Sequence, residues 1–295
     1  MPDSPASSVA PARDSHHTEQ VILDLEKRAR LTRRTIVDMV YGIGSGHPGG
    51  SLSATDLLTA LFFHQMKIDP ARPDWDGRDR LILSKGHAAP ALYATLAQRG
   101  FFPMEELKSF RRLDSRLQGH PDRNKTPGVD MTAGALGHGV SVGAGLALAA
   151  RLNNAGYRTW VLLGDGEMQA GVAWEGAMTA AKYKLDNLTA IVDFNGVQLD
   201  GKVADIMPMD PMVEKWRSFG WYVLEIDGHN MRQVLEALDE VPKIHSVPTV
   251  IVAHTIKGKG ISYMENQSAW HGRAPTKEQY DQAMAELAEP EVSRG

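Results

Sequence analysis

Short apolar runs alternate along this chain with longer segments in which apolar residues recur every three or four positions. From Glu19 to about Tyr41, Ile22, Leu25, Ala29, Ile36 and Val40 are spaced among charged residues as one face of an amphipathic helix. Ser53-Ala-Thr-Asp56 reads as the cap of a second helix reaching Gln65. Arg80 to Leu83, Tyr157 to Leu163, Leu188 to Phe194, Trp221 to Ile226 and Pro248 to Ala253 have the length and apolar character of buried strands, at least five in all. Glu167 to Lys184, between the second run and the third, reads as a helix with Ala173, Ala177 and Ala181 at four-residue steps that let it lie close on a sheet. This alternation predicts an α/β fold: a doubly wound, mostly parallel sheet with helices on both faces.

Ligands of such sheets bind at the carboxyl ends of the strands, so the residues that end each run are the ones to inspect. Gly164-Asp165-Gly166 ends the second run and Asn195-Gly196 the third, so the two ends can meet. Two oxygen side chains with a backbone carbonyl from the loop after Asn195 make half of an octahedral Mg²⁺ shell, to be completed by diphosphate oxygens and water. Alone, Gly-Asp-Gly is as readily a turn. The 28 residues between Gly166 and Asn195, with a strand on either side, favour the metal. Thr132-Ala-Gly-Ala-Leu-Gly-His-Gly139 runs into a helix with Gly139, Gly143 and Ala147 at four-residue steps. A glycine loop at a helix N-terminus suits an anion such as diphosphate; small residues at that spacing also serve tight packing, and both can hold.

Six of eleven histidines (His47, His87, His120, His138, His229 and His271) adjoin a glycine, where about two would by chance, so imidazoles are concentrated in loops. Such a set suits a polyhydroxylated substrate, because each ring can donate, accept or move a proton near neutral pH. His229 sits in a common turn composition, Asp-Gly-His-Asn, and is discounted. His16 and His17 need no role, and His64, His245 and His254 read as structural.

With 32 basic and 36 acidic residues the net charge is −4, which gives no electrostatic footprint for nucleic acid or an anionic membrane. Cysteine is absent, which excludes disulfides, thiolate metal sites and a thiol nucleophile, and fits a reducing, cytoplasmic setting. The most apolar run, Val142 to Ala150, is too short to span a bilayer. Residues 1–18 lack the features of a signal peptide and are expected to be a disordered tail, leaving 19–295 as a single domain.

The spacing of Gly164-Asp165-Gly166 and Asn195 resembles the signature of thiamine-diphosphate enzymes. Within that group, the segments Glu175 to Asp193 and Gly196-Val-Gln-Leu-Asp-Gly201 resemble transketolase, above all the amino-terminal subunit of transketolases encoded as two chains. The resemblance covers roughly residues 19 to 290. It implies thiamine diphosphate as cofactor, with Mg²⁺, or Ca²⁺ or Mn²⁺ in its place, held by Asp165, Asn195 and the carbonyl of Val197. By the same resemblance His87, Gly134, Leu136, Gly164, Asp165, Gly166, Glu167 and Asn195 contact the cofactor, while His47, His120 and His271 act on substrate.

The implied reaction moves a two-carbon ketol unit from a ketose or its phosphate to an aldose acceptor, by carbanion chemistry on the cofactor. The family's pyrimidine pocket lies in a second domain. A separate carboxyl-terminal subunit is therefore expected as partner, as two copies of each chain. Two departures bear on this. Ala170-Gly171 replaces the family's frequent Glu-Gly pair, which puts a proton relay between active sites in doubt, and His138 replaces a frequent glutamine, which leaves room for a changed sugar. Other thiamine enzymes, a deoxyxylulose-phosphate-synthase relative or the α chain of a 2-oxoacid dehydrogenase, are alternatives, the histidine series arguing against the latter. A non-catalytic scaffold subunit is the alternative outside enzymes. A nicotinamide Rossmann domain is disfavoured, since no Gly-x-Gly-x-x-Gly turn follows the first strand.

Overall fold

The computed structural model describes residues 17–289, so the expected tail lies outside the described residues up to position 16. Its last two members are part of the fold. His17 pairs with Asp239, and Thr18 caps the first helix by accepting the N–H of Val21.

In chain order the elements are α1 (Glu19–Ile43), α2 (Pro48–Ser53), α3 (Thr55–Ala60), β1 (Arg80–Leu83), α4 (Ala89–Arg99), α5 (His138–Leu152), β2 (Thr159–Gly164) and α6 (Gly171–Lys182). Then come β3 (Leu188–Phe194), α7 (Val203–Ile206), α8 (Met212–Ser218), β4 (Tyr222–Asp227), α9 (Met231–Glu240), β5 (Thr249–His254) and α10 (Lys277–Glu286). All strand pairs are parallel, in the order β1-β2-β3-β5-β4. Side-chain alternation divides the core in two. Leu81, Trp160, Leu162, Ile191 and Ile251 face a cluster built with α1, α3, α4 and α9, while Ile82, Val161, Leu163, Val192 and Val250 face one built with α5, α6 and α8. At roughly 1.5–3 kcal/mol per fully buried aliphatic side chain, this two-faced burial makes the sheet the rigid part of the molecule. Among the described residues no helix is long and apolar enough to cross a membrane.

Three expectations change. Only four of the five strands are buried: β4 lies at the sheet edge beside β5 and is half-exposed along its length. Ser53 caps nothing. It ends α2, and its hydroxyl bonds Asp193 at 2.6 Å, because the loop glycines Gly49 and Gly50 are already helical behind Pro48, which occupies the favoured first helical position. The helix expected from Glu167 breaks into a 3₁₀ turn, Gly166–Gln169, and α6. The Glu167 side chain reaches back to the N–H of Gly164, which ties that turn to the strand end, and Ala170 is extended before the helix starts again.

Candidate active site at the carboxyl edge of the sheet

A parallel sheet brings every strand terminus to one edge. Here β1 leads into Ser84-Lys-Gly-His87, β2 into Asp165, β3 into Asn195 and β5 into Thr255-Ile-Lys257. Gly164 of β2 is in register with Asp193 of β3, so Asp165 and Asn195 leave adjacent strands side by side. Asp165 is buried and accepts N–H bonds from Gly166 (2.8 Å) and Gly196 (2.5 Å). Burial, and then the like charge of Asp193, push its carboxyl up to about 6. Asn195 anchors its amide nitrogen on Asp193 and accepts the N–H of Val197 at 3.1 Å, which leaves its oxygen a second lone pair. The carbonyl of Val197 receives the Lys257 ammonium at 2.9 Å. A carboxylate that lacks sufficient positive charge thus stands near a carbonyl on which a cation already rests. That oxygen donor set fits Mg²⁺.

Glu167 organises the glycine loop. Its carboxylate accepts the Ser84 hydroxyl and the N–H groups of Gly137 (2.7 Å) and Gly164 (3.1 Å), and burial raises its pKa. Gly137 has φ 84°, and a Cβ there would come within 2.6 Å of the Ala170 methyl, so the turn that starts α5 requires glycine. Gly134 and Leu136 lie exposed on this loop, at the mouth of the site. His138 is exposed beside them, 3.2 Å from the carbonyl of Leu136.

Two buried lysines complete the edge, and neither stands out in the sequence. Lys85 donates to the carbonyl of Gly50 at 2.9 Å and pairs with Asp193, which also accepts the hydroxyls of Ser53 and Thr255. Burial would raise the Asp193 pKa, but the Lys85 charge and the hydrogen bonds from Lys85, Ser53 and Thr255 together hold the carboxyl below its ordinary range. Lys257 bridges the two halves of the site, donating to Val197 and also to Nδ1 of His271 at 2.9 Å. Burial and the neighbouring Lys85 lower it to about 8. The signal available in the sequence is Asp193 itself, a carboxylate in an apolar strand that demands a cation.

His47, His87 and His271 form a triangle with ring centroids 4.9–5.5 Å apart. Arg111, a residue without any sequence signal, donates to the Ser45 hydroxyl at 2.6 Å and lies 3.4 Å from Nδ1 of His47. Guanidinium and ammonium groups can only donate, so Nδ1 of His47 and of His271 must accept, and the neutral rings carry their protons on Nε2. Burial and Arg111 lower His47 to about 4; burial and Lys257 lower His271 to about 3; burial and Lys85 lower His87 to about 2. His120 is exposed at the rim, close enough to Arg111 and His47 for their charges to interact. His229 stands apart, donating to Asp56 (2.7 Å) and accepting the N–H of Ile256 (2.8 Å), which pins the loop that carries Lys257.

The lowered rings set a pH dependence. Below about 6.5 the unfolded chain protonates three imidazoles that the folded chain keeps neutral, so folding stability falls as pH falls. Asp165, raised to about 6, works in the opposite direction, as do Glu167 and Asp79, whose carboxyls burial also raises, but the three imidazoles are joined by His120, lowered by burial, and they act from a higher pH. The melting temperature of the cofactor-free chain is expected to drop steadily from pH 7 to pH 5, and to drop less in His87→Gln. A melting temperature that holds or rises on acidification would contradict the buried neutral triangle.

The chain is similar to known proteins in sequence and in fold. The family described as "Transketolase, thiamine diphosphate binding domain" matches residues 26–289. The chain is 43% identical over 265 residues to the 6-deoxy-6-sulfo-D-fructose transketolase subunit SqwG of Clostridium sp. (strain MSTE9), covering 90% of this chain and 96% of that one. It is 42% identical to a subunit of the apulose-4-phosphate transketolase of Phocaeicola vulgatus, covering 90% and 94% of the two chains. Among solved structures, transketolase from Campylobacter jejuni superimposes with a TM-score of 0.85 at 32% identity, over 92% of this chain but 43% of that longer one. By sequence over nearly its whole length and by fold, the chain belongs to the transketolase family, as its thiamine-diphosphate-binding domain.

Proposed function

We propose that this chain, from residue 19 onward, is the cofactor-anchoring subunit of a two-chain transketolase, assembled as two copies with two of a partner that carries the pyrimidine-binding domain. Its substrates are a ketose donor and an aldose acceptor, free or phosphorylated. The names of the two relatives make a sulfonated deoxyfructose and an apulose phosphate the first sugars to test. One observation carries the reading: Lys257 joins the Val197 carbonyl, in the loop that starts at Asn195 and is held by Asp165, to His271 of the imidazole triangle, so anchor and imidazoles form one continuous site.

In this reading Asp165, Asn195 and the Val197 carbonyl hold Mg²⁺, or Ca²⁺ or Mn²⁺ in substitution. Gly134, Leu136, Gly164, Gly166 and His87 line the diphosphate, with Glu167 bracing the loop from beneath. When bound, thiamine diphosphate supplies the electron sink for breaking a carbon–carbon bond beside a ketone. The chain's own residues orient sugar and protons. His47 and His271, with their Nδ1 atoms held by Arg111 and Lys257, present Nε2–H groups that donate hydrogen bonds to a carbonyl or hydroxyl oxygen and so polarise it. His120, at the rim, meets the outer hydroxyls. Leu136, Val142 and Met178 are exposed apolar side chains on the loop before α5, on α5 and on α6, and they offer a surface for the partner beside the mouth of the site.

His47→Ala is expected to lose transfer activity by about 10²–10⁴-fold in the assembled enzyme, the usual contribution of a positioned acid–base group, with cofactor affinity retained. Normal turnover in that variant would make His47 structural. The reading as a whole is tested by affinity capture of the chain from its native lysate with thiamine diphosphate and Mg²⁺ present. A second chain of similar size at one-to-one ratio, with ketol transfer only in the pair, is the expected result. A lone, inactive homodimer that still binds cofactor would overturn it in favour of a scaffold.

A further inference from the structure

We propose that His17, His64 and Asp239 form a binding site for a divalent transition-metal ion, separate from the cofactor site. The three come from remote parts of the chain. His17 precedes the cap of α1, His64 lies in the π-helical turn Leu61–Gln65 that ends α3, and Asp239 is in the last turn of α9. One ligand atom from each lies within 4.8 Å of the other two.

The two carboxylate–imidazole distances lie near those around a small tetrahedral ion. With zinc bonds of about 2.0–2.1 Å, ligand atoms sit about 3.3 Å apart. Nε2 of His17 is 2.8 Å from one Asp239 oxygen, and Nε2 of His64 is 3.6 Å from the other, values on either side of that spacing. The two rings meet edge-on, with centroids 4.9 Å apart, an arrangement that two imidazoles on one ion can keep. The backbone at His17 is held in place, since Arg232 donates to its carbonyl at 3.4 Å while also pairing with Glu19.

Donor chemistry separates this ion from the one proposed for catalysis. Two imidazoles and a carboxylate suit zinc and its first-row neighbours, whereas Mg²⁺ and Ca²⁺ take oxygen ligands. Side-chain exposures of 27% for His64 and 36% for Asp239 leave a route for entry and room for water as fourth ligand. Topology places the site far from the chemistry. Helix α9 runs back from the carboxyl end of β4, so its last turn lies at the opposite edge of the sheet from Asp165. A metal there would clamp the start of α1 to α3 and α9, and by binding only the folded chain it would stabilise the fold.

The test uses the tag-free full chain, stripped with chelator and titrated with Zn²⁺ against a chromogenic zinc indicator. One zinc per chain is expected. His64→Ala and Asp239→Asn should each weaken it by roughly tenfold or more, and Asp165→Ala should leave it unchanged. Zinc should raise the melting temperature of the parent and not of His64→Ala, whose partly exposed side chain can be removed without unfolding. Absence of zinc binding, or binding that survives His64→Ala and Asp239→Asn but is lost in His271→Ala, would overturn the proposal, the latter by moving the ion to the active-site triangle.

Discussion

Asp165→Ala is expected to abolish magnesium-dependent binding of thiamine diphosphate while leaving the cofactor-free fold as stable as before, or more so. The loss follows from removing the only carboxylate among the three proposed metal donors, a change on the order of a hundredfold or more in affinity. The retained stability follows from the environment of the carboxylate. Its pKa is raised to about 6 by burial and by Asp193, so at pH 7 and above the ionised group opposes folding unless a cation is bound. Calorimetric titration with cofactor and Mg²⁺, together with melting curves of the apo chain, reads both halves. Unchanged cofactor affinity would sink the metal assignment, and a collapse of the apo fold would make Asp165 structural.

Lys85→Met should do the reverse, unfolding the chain through a residue of similar burial only one strand away. Asp193 is fully buried, and Lys85 is its ion-pair partner. Removing one member of a buried pair leaves an uncompensated charge and costs about 3–5 kcal/mol, a large part of the roughly 5–15 kcal/mol that holds a typical domain together. The hydroxyls of Ser53 and Thr255 and the amide of Asn195 remain on the carboxylate but do not neutralise it. The double variant Lys85→Met/Asp193→Asn removes the charge altogether and should recover much of the loss. Urea denaturation of the two single variants and the double variant closes the cycle. Additive losses would show that the pair is not coupled as described.

The contrast between these two carboxylates also marks how far the chain is legible without its fold. Asp165 and Asn195 can be found because strand, glycine and polar residue follow one another locally, and because parallel strands send their ends to one side. Likewise the loop histidines stand out by their glycine neighbours, and three of them, His47, His87 and His271, meet in space. Lys85 and Lys257 escape notice, since lysine is almost never buried unless paired, and the pairing is long-range. Arg111 reaches His47 from 64 positions away through a backbone with φ 59°, for which nothing local gives notice. Ser53 follows the helix-cap pattern of serine before a helix, but a hydroxyl that can cap can equally hold a buried carboxylate. Edge position misleads the reading of β4: Trp221 before it is buried, and only the order of strands puts the rest beside solvent.

That outer strand has a bearing on how the chain keeps apart from its own copies. An unpaired sheet edge presents N–H and C=O groups to any passing strand, and is a common starting point for aggregation. β4 carries Glu225 and Asp227 two residues apart, both exposed and on the same face. A second copy docking edge to edge would bring carboxylates against one another, at a cost that grows with each added strand. The charged edge thus works as a built-in guard against self-association through the sheet.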